Sequence, residues 1–191
     1  MIIGITGGTG CGKTTLLNHI RDAGGLILDC DAIYHELLIS NKDMLAAIDT
    51  RFPGTVENGA LNRKKLGSIV FADELALQDL NRITHSSVRQ EVLRRLESHP
   101  KLAAIDAIGL FEGGLAELCD VTVAVTAPLE QRIQRLMERD CISEEYARSR
   151  IAAQKSDAWF RSHCDVVLEN PGDLQSYATK CLDFLKHLGI M

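Results

Sequence analysis

The chain holds six cysteines, at 11, 30, 119, 141, 164 and 181, yet no two form a Cys-x-x-Cys pair and the intervals are wide. That absence argues against a disulfide-stapled scaffold and predicts free, buried thiols in a reducing compartment. The six histidines show no His-x-x-x-His or Cys/His spacing, so no zinc site is expected. A basic surplus is also missing. The net charge is −5, which argues against a general nucleic-acid binder. No apolar run approaches the length of a membrane-spanning helix, so no membrane partner is expected. A secretory leader is not expected either, because the segment from Gly7 to Thr15 occupies the place where one would be cleaved. Repeats, low-complexity tracts and linkers are absent. The expectation is one cytoplasmic folding unit, a monomer or weak oligomer.

What is present is patterned. With 191 residues and 46% hydrophobic composition, the chain can bury one sizeable core. IIGIT (2–6), LILDC (26–30), LAAIDAI (102–108), VTVAV (121–125) and DVVLE (165–169) are apolar runs of strand length. A helical pattern follows from Lys13 to a C-cap at Gly24-Gly25, and another starts near Asp31. Further helical patterns cover 110–118 and 128–157. Strands alternating with helices predict a parallel sheet covered on both faces. Two excursions interrupt it. The mostly helical stretch of about 32–99 reads as an inserted lobe, and about 128–157 is longer than a crossover helix needs. The core is then about 1–31, 100–127 and 158–191.

Between the first strand and the first helix stands GGTGCGKTT, in which Gly7, Gly12, Lys13 and Thr14 fit GxxxxGK[ST] without a mismatch. Glycines at this spacing let backbone N–H groups cradle phosphate oxygens, and the helix adds its positive end. Lys13 reaches the outer phosphates and the Thr14 hydroxyl ligates Mg²⁺. The loop therefore predicts a bound nucleoside triphosphate. A switch GTPase would need NKxD after its fourth strand. The Asn41-Lys42 pair fails in register and lies elsewhere, and Asp106-Ala-Ile-Gly109 mimics DxxG only weakly. A small kinase remains the natural reading. A kinase for some other hydroxyl compound and a nucleotide-dependent assembly factor stay open as rivals.

Phosphoryl transfer to a hydroxyl needs a carboxylate at the acceptor and positive charge over the transferring group. Asp31 follows the second strand, where carboxyl ends line the ligand crevice of an open parallel sheet. The competing reading makes it the cap of the next helix. Asp29 is its rival. Asp106, ending another strand, could hold Mg²⁺ through water or support the loop. Arg132, Arg135 and Arg139 share a narrow arc of one helix, either as a solvated face or as a lid over the triphosphate.

These residues resemble the dephospho-CoA kinase family, nearly end to end. ITGGTGCGKTT matches its phosphate loop, and Asp29-Cys30-Asp31 its acidic pair. Asn62, Arg63, Leu66, Val70 and Phe71 match one lobe element, and Leu80, Asn81, Ile83 and His85 a second. Leu110-Phe111-Glu112, the stretch Gln131 to Asp140, Gln154 with Ser156, and Asp165 to Asn170 complete the series. The resemblance implies a P-loop NTPase fold, three-layer α/β/α with a five-stranded parallel sheet, a helical substrate lobe and a helical lid. It implies transfer of the ATP γ-phosphoryl to the ribose 3′-hydroxyl of dephospho-CoA, with Mg²⁺, in the last step of coenzyme A synthesis. Asp31 matches the family's base, with Lys13 and Arg139 completing the catalytic set. Gly8, Gly10, Cys11, Gly12, Lys13, Thr14 and Thr15 form the ATP loop, Thr14 taking the metal, and Asn170 approaches the base side. Arg63 and His85 lie toward the acceptor, with Arg135 beside the lid arginine. A solvated charge and a helix-capping histidine are the plain alternatives for Arg63 and His85.

Two family prolines are missing, Ile108 and Ser86 standing in their places. Both shape backbone around the acceptor, so the chemistry survives while Glu112 and His85 are less firmly positioned. Cys11 replaces a usual serine. Because the loop works through backbone N–H groups, tolerance is expected, with some sensitivity to thiol reagents.

Overall fold

The computed structural model describes residues 1–190. Contacts divide the chain into two compact units. The first comprises Met1–Ile27, Pro100–Leu110 and the chain from Ala116 onward; the second comprises Leu28–His99 and Phe111–Leu115.

The first unit is built on β1 (Ile2–Thr6), buried from Ile3 onward. An unbroken apolar run suits a strand covered on both faces. After the phosphate loop comes α1 (Lys13–Asp22), which buries Leu16, Leu17 and Ile20. It ends at the expected glycines, where the N–H groups of Gly24 and Gly25 bond the carbonyls of Arg21 and Ile20, each at 2.9 Å. Next come β2 (Leu26–Asp29), β5 (Ala103–Asp106) and β6 (Val121–Thr126) as the chain returns to the sheet. Between β2 and β5 run α2 (Cys30–Ser40), α3 (Lys42–Arg51), β3 (Val56–Glu57), β4 (Ala60–Leu61), α4 (Arg63–Val70) and α5 (Glu74–Leu96). After β6 follow α6 (Leu129–Asp140), α7 (Glu144–Ala152), α8 (Asp157–His163), β7 (Val166–Glu169) and α9 (Leu174–His187).

The five long strands form one parallel sheet in the order β2-β5-β1-β6-β7. In register, Ile3 stands between Ala104 of β5 and Val121 of β6. Its main core joins Ile3 and Ile5 of β1, Val123 and Val125 of β6, Leu16 and Ile20 of α1, and Tyr177, Cys181 and Leu185 of α9. Each fully buried Ile or Leu contributes about 1.5–3 kcal/mol by leaving water. Because β1 is central, with successive crossovers running to opposite sides of it, the loop at its carboxyl end sits at the switch point of the sheet. The expected parallel α/β fold is present.

The second unit is mostly helical and includes the short antiparallel β3–β4 pair, which the periodicity did not predict. Its own core includes Ile33 and Leu37 of α2, Ile48 of α3, Leu66 of α4 and Val92 of α5.

Three local expectations are corrected. Residues 110–118 are not an α-helix but turns ending in one 3-10 turn, Ala116–Leu118. Gly109, Gly113 and Gly114 each disfavour helix by about 1 kcal/mol against alanine, and the Ala116 N–H closes a wide turn on Leu110 O at 3.0 Å. The stretch 128–157 breaks after α6, where Cys141 takes a left-handed conformation (φ 52°), so two helices stand where one long pattern was read. Finally, β2 stops at Asp29, and Asp29 rather than Asp31 caps α2, its Oδ1 accepting from the Ala32 N–H at 3.0 Å.

Candidate active site

The phosphate loop is held almost entirely by its carbonyl groups. Gly7 O accepts from Lys13 Nζ (3.1 Å), Gly8 O from the Cys11 N–H (3.3 Å) and Gly12 O from the Thr15 N–H (3.3 Å). The other three are met by distant side chains. Thr9 O accepts from Arg132 Nε (3.0 Å), Gly10 O from Arg135 Nη1 (3.0 Å) and Cys11 O from Asn170 Nδ2 (2.9 Å). By contrast, the N–H groups of Gly10, Gly12, Lys13 and Thr14 have no acceptor among the described residues. A loop whose acceptors are spent and whose donors are free, opening a helix, is an anion site by construction. Gly12 takes a left-handed φ of 97° and lies against Asn170, since a Cβ there would stand 2.4 Å from Nδ2. No other residue fits.

Thr14 is exposed in the first turn of α1, and its hydroxyl has no partner among the described residues. That suits a Mg²⁺ ion, which takes few protein ligands and completes its shell with phosphate and water. Cys11 lies under the loop, 1% exposed in the main core. Burial pushes its thiol up, with Arg132 and Lys13 opposing in part. That overturns the expected sensitivity to thiol reagents, because an inaccessible, protonated sulfur is a poor nucleophile. All six cysteines are free thiols, Cys141 being the exposed one.

The three arginines of α6 have different surroundings. Arg132 is buried and Arg135 reaches the loop, as above. Arg139, in the last turn, is exposed and chelates its neighbour, with Nε and Nη2 at 2.7 and 3.0 Å from the Asp140 carboxylate. Arg150 of α7 joins the same carboxylate at 2.6 Å. Hydrogen bonds from Arg139 and then Arg150 hold the Asp140 carboxyl down at about 2. Asn170, expected on the base side, is 5% exposed and tied to the loop. Asp106 ends β5.

In the second unit, Asp31 lies exposed in the first turn of α2, without a hydrogen bond or ion pair among the described residues. The acidic pair is thus divided, Asp29 occupied as a cap and Asp31 available. Arg63 opens α4, with its Nη2 3.3 Å from His35 Nδ1. Arginine cannot accept, so that ring nitrogen does. Tyr34, beside His35 at 5.7 Å between ring centres, has its hydroxyl pushed up by burial and drawn back by Arg63. His85 sits half-buried inside α5, many residues from either end, so it caps nothing.

Residues 1–176 match the family model described as dephospho-CoA kinase. The chain belongs to the dephospho-CoA kinase family. A dephospho-CoA kinase of Moorella thermoacetica is 36% identical over 182 residues, 92% of this chain and 86% of that protein. That of Geobacillus kaustophilus is 35% identical over 192 residues, covering 97% and 96%. Among solved structures, a Thermus thermophilus protein superposes with a TM-score of 0.81 at 33% identity, covering 98% of this chain and 97% of its own. A shikimate kinase of Bacteroides thetaiotaomicron, 14% identical with a TM-score of 0.58 and coverage of 99% and 98%, shares the fold.

Within this dephospho-CoA kinase family member, four residues escaped the sequence reading in whole or in part. Gln154 was visible only as part of a motif, yet its Oε1 accepts from the Thr9 N–H at 2.9 Å. His35 and Tyr34 carried no signal at all. Arg132 was visible as an arginine but not as a buried one. Its neighbour Ile133 is equally buried, which the helical arc blurs at that resolution.

Proposed function

We propose that this chain transfers the γ-phosphoryl of ATP to the ribose 3′-hydroxyl of dephospho-CoA, yielding ADP and CoA. The observation that carries the reading is a phosphate loop with spent carbonyls and free N–H donors, in a chain that matches the family over residues 1–176. The triphosphate sits on Gly10 to Thr15 and takes the free donors of Gly10, Gly12, Lys13 and Thr14. Lys13 leaves Gly7 O for the outer phosphates. Mg²⁺, ligated by the Thr14 hydroxyl, supplies charge neutralisation at the phosphate oxygens.

Asp31 serves as base. Its carboxylate takes the proton of the 3′-hydroxyl as that oxygen bonds to the γ-phosphorus, and the bond to the ADP oxygen breaks. Its lack of a competing partner supports this role over Asp29. Arg139 exchanges Asp140 for the transferring phosphoryl group, where a guanidinium stabilises spreading negative charge. Arg135 stands behind it at the loop. Arg63 and His85 bind the acceptor in the helical lobe of about 32–99, and the segment of about 128–157 acts as the lid that excludes water.

The test is ADP release from Mg²⁺-ATP with and without dephospho-CoA. Strong stimulation with CoA as product is expected. Absence of stimulation in protein that binds ATP would transfer the reading to another hydroxyl acceptor.

A further inference from the structure

Thr9 is gripped through both of its backbone polar groups. Gln154 Oε1 accepts its N–H at 2.9 Å, and Arg132 Nε donates to its carbonyl at 3.0 Å. The two grips are joined, because Arg132 Nη2 also donates to Gln154 Oε1 at 3.3 Å. A third element braces them, with Arg132 Nη1 3.5 Å from Asp157 of α8. Arg132 is 5% exposed, so its charge is satisfied by protein rather than by water. A buried guanidinium of this kind is expensive to leave unpaired, and its three nitrogens are engaged in turn on the Thr9 carbonyl, Gln154 and Asp157.

Gly8 adds an independent observation. It does not lie in the left-handed region, so its backbone would accept alanine. Space forbids it: a Cβ would stand 2.1 Å from Arg132 Nη2, 2.7 Å from Cζ and 3.1 Å from Gln154 Oε1. The glycine makes room for the guanidinium.

We infer that Arg132 and Gln154 are positioning residues, a clamp that holds the phosphate loop open for nucleotide before nucleotide arrives, and that Gly8 is glycine to admit it. Arg132 therefore does not meet the triphosphate, although it shares an arc with Arg135 and Arg139. The Thr9 N–H is likewise withheld from phosphate. The inference rests on the functional reading above only in naming the ligand as Mg²⁺-ATP.

Two readouts test it, one of them without ligand. In nucleotide-free protein the hydrogen-bonded amides of Thr9 and Cys11 should exchange slowly, and Arg132→Met or Gln154→Ala should release them. Mg²⁺-ATP affinity should fall roughly tenfold or more, the scale of a lost charged hydrogen bond. The KM for dephospho-CoA should move less than about twofold. Gly8→Ala should reproduce the Arg132→Met loss, and the double variant should be no worse than either alone. Additive losses would show that Gly8 faces the ligand and overturn the clamp. Unchanged exchange or unchanged ATP affinity in a folded variant would overturn it too. If Arg132→Met fails to fold, Gln154→Ala decides. A wild-type loop that is protected yet does not bind Mg²⁺-ATP would bring down the functional reading, and with it the clamp as a nucleotide device.

Discussion

Asn170 and Cys11 are 159 positions apart, yet the Asn170 amide donates to the Cys11 carbonyl at 2.9 Å in a buried setting. The same amide's oxygen accepts from the Gly172 N–H at 3.0 Å, so both ends are used. Asn170→Ala leaves the loop carbonyl without a partner, at about 1–3 kcal/mol. A melting temperature lower by roughly 2–4 °C per kcal/mol is expected, together with weaker Mg²⁺-ATP binding. Calorimetry and titration check both; unchanged values would mean that the contact does not hold the loop.

The two carboxylates of the acidic pair separate by mutation. Asp31→Asn should retain fold and ATP binding and lose turnover by about 10²–10⁴-fold, the usual worth of a general base. Asp29→Asn keeps a competent cap and should be nearly silent. Asp29→Ala should cost about 0.5–2 kcal/mol of stability with little change in turnover per folded molecule. If Asp29→Asn abolished turnover while Asp31→Asn did not, the assignment would reverse.

Glu91 of α5 accepts from Arg94 and Arg95, which hold its carboxyl down at about 2 against an ordinary 4.5. A depressed folded value means stabilisation that is present above pH 4.5 and lost as the pH falls toward 2. Glu91→Gln should therefore lower the melting temperature near neutrality, and the gap from wild type should close across that acid window. A gap constant with pH would mean that the arginines contribute through packing alone.

Thiol labelling distinguishes buried from exposed cysteines. Cys141, at the break between α6 and α7, should react first with a thiol reagent in native protein. Cys11 should react only on unfolding. Peptide mapping by mass spectrometry reads both, and early labelling of Cys11 would contradict its burial.

The strand, glycine loop and helix at the start of the chain were legible because their constraints are local: a run of apolar residues, glycines at fixed intervals, and Lys13 and Thr14 in the first turn. The acidic pair was only half legible. Both aspartates stand beside a helix start, and either could have capped it, so the choice depended on where β2 ended. The helix expected at 110–118 failed because its apolar periodicity competes with three glycines and a return to the sheet.

The sequence by itself determined a nucleotide loop at the end of the first strand, an alternating α/β order and a kinase-like series of motifs. These follow from backbone geometry and short-range periodicity. Only the tertiary structure decided which groups hold that loop. Gln154, Arg132, Arg135 and Asn170 reach it across separations of 145, 123, 125 and 159 positions. An arginine bound for a buried carbonyl and one bound for solvent look alike in sequence, and their difference arises only when the sheet brings β1, β6 and β7 side by side.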